Sequence, residues 1–175
     1  MRYIIAILLI TSTAHADDWE WGFVVVPMAP FHHVFLHESS HAIAGLSMGH
    51  KIEAFKPYPH MYDDRLFLGR VETDSPTPLT DGEKIAFYGA PYLMDVGMFA
   101  LSDVIVSHME RRSIAGVVIH ILGMVAPYID FVKGYVHSLD WSEMRNTQGA
   151  TAINILGAAA IAVGTWRIIE YWRNF

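Results

Sequence analysis

The chain has 175 residues, of which 53% are hydrophobic and 17% are charged, and its formal net charge is −6. The length fits one domain, and such a high apolar fraction with so few charges is typical of a membrane protein. The negative charge argues against nucleic acid as a partner. The chain has no cysteine, which excludes a disulfide framework and restricts any zinc site to His, Asp or Glu ligands.

The N-terminal segment has the parts of a secretory signal peptide. An early arginine precedes an apolar run over residues 3–10, and Ala14 and Ala16 form an A-x-A cleavage site. The run is too short to cross a bilayer comfortably. We therefore expect a signal peptide over residues 1–16 and a single membrane-embedded domain over residues 17–175.

The first long apolar segment, residues 23–48, carries the most specific motif of the chain. Within it lies His37-Glu38-x-x-His41, the H-E-x-x-H pattern. Residues four apart share one face of an α-helix, so both imidazoles would point at one place, as two ligands of a zinc ion require. Glu38 would hold and deprotonate a water molecule on the ion. Such polar groups are costly in a membrane unless they face the protein interior or bind something.

Helix-boundary and turn signals surround this motif. Pro30 suits the first turn of a helix, and Gly49 suits the C-terminal end of one. Residues 51–55 and 66–72 predict two short strands, joined by the turn-rich residues 58–64. We expect them to form a small β-hairpin outside the hydrocarbon core.

Further apolar segments follow the hairpin, with a polar loop expected at residues 135–148. The segments are residues 85–107, 114–132 and 150–169. Each is long enough to cross a bilayer, and the last is rich in Gly and Ala, which allow helices to pack closely. The predicted fold class is mostly α: a multi-pass membrane helical bundle of about four spanning helices, with a small β-hairpin insertion after the motif helix.

A catalytic zinc ion needs a third protein ligand besides the two histidines. The metzincin extension is excluded, because Ala44 and Ser47 stand where its Gly and His would be. Three aspartates are candidates: Asp95 and Asp130 in spanning segments, and Asp140 in the polar loop. An intramembrane carboxylate is costly and favours a cation partner. Asp130 also follows a proline, and a local break of the helix there would present its side chain.

The order of these features resembles the site-2 protease family of intramembrane zinc metalloproteases. The resemblance is carried by the H-E-x-x-H helix, the hairpin, the turn Gly89-Ala90-Pro91 in the next helix, and Pro127 followed by Asp130 in the helix after it. It implies that His37, His41 and Asp130 bind a zinc ion and that Glu38 is the catalytic residue.

The resemblance implies zinc-dependent hydrolysis of a peptide bond within or next to the membrane. Residues 17–175 would then form a metalloprotease-like domain. The expected partners are the lipid bilayer and a protein substrate in the form of a membrane protein segment, and the expected location is multi-pass in a membrane, a bacterial inner membrane.

Two other interpretations remain open. The first is a multi-pass membrane protein that binds or transports metal ions without proteolysis. It is based on the i, i+4, i+8 ladder of His33, His37 and His41, since intramembrane His and Asp also line ion pathways. The second is a structural membrane protein in which the motif is a hydrogen-bonded packing device.

Overall fold

The structure is a computed structural model that describes residues 22–62, 65–74, 78–110 and 113–174. The described chain is mostly helical, with a small antiparallel β region. Its helices are α1 (Gly22–Ser47), α2 (Asp81–Ser107), α3 (Ile114–His120), α4 (Ala126–His137), α5 (Leu139–Arg145) and α6 (Ala150–Arg173). Its strands are β1 (Ile52–Lys56), β2 (His60–Tyr62), β3 (Arg65–Phe67) and β4 (Arg70–Thr73). The signal peptide predicted for residues 1–16 lies outside the described residues.

Long apolar helices make up most of the bundle. By length and composition, α2, the continuous stretch Ile114–His137 and α6 could each cross a membrane. The stretch Ile114–His137 consists of α3, a π-helical turn at Ile121–Val125, and α4. The sequence predicts about four spanning helices, whereas three of the described helices meet this criterion. The fourth, α1, falls short because several histidines, serines and Glu38 interrupt its apolar residues.

The motif helix α1 runs through two prolines and ends close to the predicted stop. Pro27 and Pro30 both lie inside the helix, although the sequence pattern places Pro30 in its first turn. Proline fixes φ at a helical value but lacks the N–H donor, so the helix continues with fewer backbone hydrogen bonds. After the helix, Gly49 has a φ of 85°, and the His50 N–H donates to the Gly45 carbonyl at 3.0 Å. This is a glycine stop of the kind the sequence predicts.

The predicted hairpin is present, but it is divided into two antiparallel pairs. In the outer pair, β1 meets β4, with Phe55 opposite Val71. In the inner pair, β2 meets β3, with His60 opposite Phe67. Residues 66–72 are therefore not one continuous strand, since Leu68 and Gly69 lie between β3 and β4. This interruption is what brings Gly69 over the motif helix.

An aromatic core fixes α5 against the long helices. Tyr92, Phe131, Trp141 and Met144 form one buried cluster that joins α2, α4 and α5. The sequence predicts a polar loop over residues 135–148, but α4 continues to His137 and α5 then begins at Leu139. Burial of Trp141 and Met144 supplies the packing that a short isolated helix lacks.

Candidate metal centre

The two motif histidines lie one turn apart on α1 and face the start of α5. Their ring centroids are 5.1 Å apart. The Nε2 atoms of His37 and His41 each lie 3.4 Å from the same oxygen, Oδ2 of Asp140. All three of these potential ligand atoms lie within 4.8 Å of one another. Two imidazoles from one helix and a carboxylate from another therefore converge on one point.

The spacing of these atoms fits the coordination sphere of a zinc ion. Two ligands at ~2.0–2.1 Å from zinc, separated by the tetrahedral angle, are ~3.3–3.4 Å apart. The observed Nε2–Oδ2 separations are 3.4 Å. Two histidines and one carboxylate form a donor set found in catalytic zinc sites, where the fourth position is left for water or substrate. The residues present thus fit a catalytic zinc ion.

The other nitrogen of each imidazole already has an acceptor. The Nδ1–H of His37 donates to Oδ2 of Asp130 at 2.8 Å, and the Nδ1–H of His41 donates to the Phe87 carbonyl at 2.9 Å. A proton on Nδ1 leaves Nε2 with its lone pair, which is the form that binds a metal. Both rings are therefore held with Nε2 turned towards Asp140.

Local structure at the start of α5 positions Asp140. Ser138 caps the helix, since its Oγ accepts a hydrogen bond from the Trp141 N–H at 3.0 Å. The Tyr92 hydroxyl lies 2.6 Å from the same Oγ, and Trp141 is buried in the aromatic core. Asp140 falls in the first turn of α5, where the helix dipole favours a negative charge.

The carboxyl group of Asp140 is held in its charged form. Burial alone would raise its pKa, but the adjacent imidazoles of His37 and His41 outweigh burial and lower the pKa of Asp140 to about 2. An anionic oxygen is the form that binds a divalent cation. The Asp140 carboxylate is thus in the charge state that a metal ligand requires.

Glu38 lies next to the converging atoms but is not one of them. It is 8% exposed and lines a cavity of about 340 Å³ together with His37, Tyr92 and Asp140. Gly69 of the hairpin lines the same cavity and lies directly against the Glu38 side chain. The cavity is thus lined by both the hairpin and the helices, next to the converging atoms.

The aspartates of the predicted spanning segments differ in their contacts, although two of them share His33. Asp130 contacts His37 at Nδ1, on the side of the ring that faces away from Asp140, and also lies 3.3 Å from His33. Asp95 lies 3.0 Å from His33. Asp103, which the sequence also places in a spanning segment, forms a bidentate pair with Arg167.

Sequence patterns also pointed to the positions of Asp140 and His33, but they were weaker evidence for a metal ligand than the intramembrane location of Asp130. A serine followed within a turn by Asp140 and Trp141 is a helix-start pattern, which would have placed Asp140 on a helix. The i, i+4 spacing of His33 and His37 indicates that they share a face. The Phe87 carbonyl had no signal, because a backbone acceptor is not visible in residue types.

No family model, curated protein or solved structure matches the chain.

Proposed function

We propose that this protein is a membrane-embedded zinc metalloprotease that hydrolyses peptide bonds within or next to the bilayer. The observation that carries the proposal is the convergence of the His37 and His41 Nε2 atoms on Asp140 at 3.4 Å. Both Nδ1–H groups meanwhile donate hydrogen bonds to other acceptors. The motif glutamate stands beside this group in a cavity. Among the described residues, three helical stretches are long and apolar enough to cross a membrane, which supports a multi-pass location.

The proposal assigns the third ligand to Asp140 and gives Asp130 a different task. The resemblance to the site-2 protease family implies Asp130 as the third ligand, but its carboxylate contacts the far side of the His37 ring. A carboxylate in that place orients a ligating histidine and increases its basicity. Asp130 is therefore a positioning residue in the proposed zinc site.

The chemistry divides between the ion and Glu38. A zinc ion held by His37, His41 and Asp140 would act as a Lewis acid on the substrate carbonyl and would lower the pKa of a water molecule to near neutrality. Glu38 accepts a proton from the attacking water as the water oxygen bonds to the substrate carbonyl carbon. Glu38 then gives that proton to the leaving amine when the C–N bond breaks. Its buried position keeps bulk water away from this transfer.

The hairpin offers a way to hold an extended substrate. Residues 66–69 line the 340 Å³ cavity beside Glu38, and β3 pairs only with β2 among the described strands. A peptide in a membrane helix has its carbonyls in hydrogen bonds, so it must unwind before attack. An unwound segment can add to a free strand edge through backbone hydrogen bonds, which favours an apolar protein segment as the substrate.

The test compares Glu38→Gln with wild-type protein purified in detergent. We expect Glu38→Gln to keep its zinc, measured by elemental analysis, and to lose hydrolysis of a pool of quenched-fluorescent peptides with randomised apolar segments. Glu53→Gln is the matched control, because Glu53 is exposed on β1. Cleavage by Glu38→Gln at the wild-type rate, or wild-type protein that binds no zinc, would contradict the proposal.

A second candidate function is metal transport without proteolysis. The observation that favours it is a second group of His33, Asp95 and Asp130, adjacent to the first along α1. Zinc flux into vesicles containing the purified protein distinguishes the two functions. The protease proposal predicts no flux above that of empty vesicles, whereas flux that falls in His33→Ala would favour transport.

A further inference from the structure

The polar group built around His33 lies deep in the helical bundle. His33 is 5% exposed and Asp95 is 3% exposed. The Nε2 atom of His33 lies 3.0 Å from Oδ1 of Asp95 and 3.3 Å from Oδ2 of Asp130. One helix turn separates His33 from His37, so the group adjoins the proposed zinc site and yet has its own imidazole and its own carboxylate.

Hydrogen bonding among the described residues does not account for this group. Neither nitrogen of His33 makes a hydrogen bond, and Asp95 Oδ2 has no partner. The Nε2 atom of His33 is 3.0 Å from Oδ1 of Asp95, but the pair does not have hydrogen-bond geometry. Buried polar atoms without hydrogen bonds cost free energy. One ligand atom each of His33, Asp95 and Asp130 nevertheless lies within 4.8 Å of the others.

The charges of the group also call for a cation. Two carboxylates lie close to one imidazole, and within the described residues no lysine or arginine forms an ion pair with Asp95 or Asp130. Buried carboxylates at a membrane depth are costly unless they are paired or bind a metal. A divalent ion would neutralise both carboxylates while His33 remained neutral.

The distances are close to those between neighbouring ligands of one divalent ion. Adjacent ligands at ~2.1 Å from a metal, separated by a right angle, are ~3.0 Å apart. The two His33–aspartate distances are 3.0 and 3.3 Å. One imidazole with two carboxylates suits Zn²⁺, Mn²⁺ or Fe²⁺ better than Ca²⁺ or Cu⁺.

We infer that His33, Asp95 and Asp130 form a second divalent transition-metal site next to the proposed catalytic one. Asp130 connects the two sites, because its Oδ2 accepts the His37 Nδ1–H at 2.8 Å and also faces His33. The second site does not depend on proteolysis, and none of its three ligands is a ligand of the first.

The experiment counts ions per chain. The untagged full-length protein is purified in detergent, stripped with a chelator and dialysed against excess Zn²⁺ or, in parallel, Mn²⁺. Bound metal is then measured by elemental mass spectrometry. We expect two Zn²⁺ per wild-type chain, one in His33→Ala, one in Asp95→Asn, and one in His41→Ala. The double variant His33→Ala/His41→Ala should bind none.

Controls separate loss of the ligand from loss of the fold. His32→Ala is the matched control, since His32 is the neighbouring histidine on α1 and belongs to neither group, and it should keep both ions. Asp95→Asn preserves the shape of the side chain, and the ion retained in the His33→Ala and Asp95→Asn variants reports an intact first site.

The outcomes distinguish this inference from the proposed function. A single ion in wild-type protein that survives His33→Ala and Asp95→Asn but is lost in His41→Ala would overturn the second site and leave the first. A single ion lost in His33→Ala but kept in His41→Ala would do the opposite. Two ions in both His33→Ala and Asp95→Asn would also overturn the inference.

Discussion

Gly69→Ala tests whether the hairpin holds Glu38 in its working position. A Cβ placed on Gly69 would lie 2.5 Å from Cγ and 2.5 Å from Oε1 of Glu38, while ordinary contacts begin near 3.4 Å. The atoms must therefore separate by roughly 0.9 Å, since the packed interior leaves little free space. Because Cγ is attached directly to Cβ, rotation of the carboxylate alone does not relieve the overlap.

A displacement of this size should reduce hydrolysis without removing the metal. A misplacement of ~1 Å in a catalytic group costs about 100-fold in rate, which corresponds to ~2.7 kcal/mol of activation free energy. We expect kcat/KM of Gly69→Ala towards the quenched-fluorescent peptides to fall by about that factor. Zinc content should stay at the wild-type level, because Glu38 is not among the proposed ligands.

Gly97→Ala is the matched control for this prediction. A Cβ on Gly97, in the middle of α2, would have no atom within 4 Å, so we expect no loss of activity and a small gain in helix stability. Activity of Gly69→Ala within twofold of wild type, with zinc retained, would refute the claim that the hairpin positions Glu38.

Two further substitutions test the site and the fold. In a His33→Ala background, which removes the proposed second site, Asp130→Asn should weaken zinc binding about 10–100-fold, because Asp130 orients the ligand His37. Asp140→Asn should weaken it by more than ~100-fold, because a ligand is lost. Competition with a zinc chelator dye measures both affinities, and the reverse order would return the ligand role to Asp130. Gly49→Ala should destabilise the protein by ~1–2 kcal/mol because φ is 85° there, a conformation that residues with a Cβ disfavour. Gly82→Ala should not, because its Cβ would meet no atom within 4 Å. Equal melting temperatures of the two variants in detergent would contradict the strain argument.

Elements with strong local signals could be predicted from the sequence. The long apolar segments predicted helices, and the structure confirms a mostly helical chain in which three stretches of the described residues could cross a membrane. Two short strand segments joined by turn-rich residues predicted the hairpin, and Gly49 marked the end of the motif helix. These features depend on residues that are close in sequence, so hydrophobic periodicity and turn-forming residues are enough to predict them.

Features that depend on tertiary packing could not be predicted in the same way. Residues 135–148 were predicted to be a polar loop because few of them are apolar. In the structure, Trp141 and Met144 are buried in the aromatic core and stabilise α5. That packing decides where Asp140 points. The sequence therefore identified His37, Glu38 and His41 as a group, while the relation of Asp130 and Asp140 to the His37 ring depends on how α4 and α5 meet α1.

The π-helical turn at Ile121–Val125 is the place where the helix before Asp130 can change its length with least effect on the proposed sites. A π turn accommodates one residue more than an α-helix does over the same rise. Deleting a single residue there would restore regular α geometry and leave Asp130 facing His33 and His37. Deleting a residue from the regular first turn of α4 would instead rotate Asp130 by ~100° about the helix axis relative to the residues before the deletion. Asp130 would then turn away from both histidines, although every side chain of the two groups would still be present.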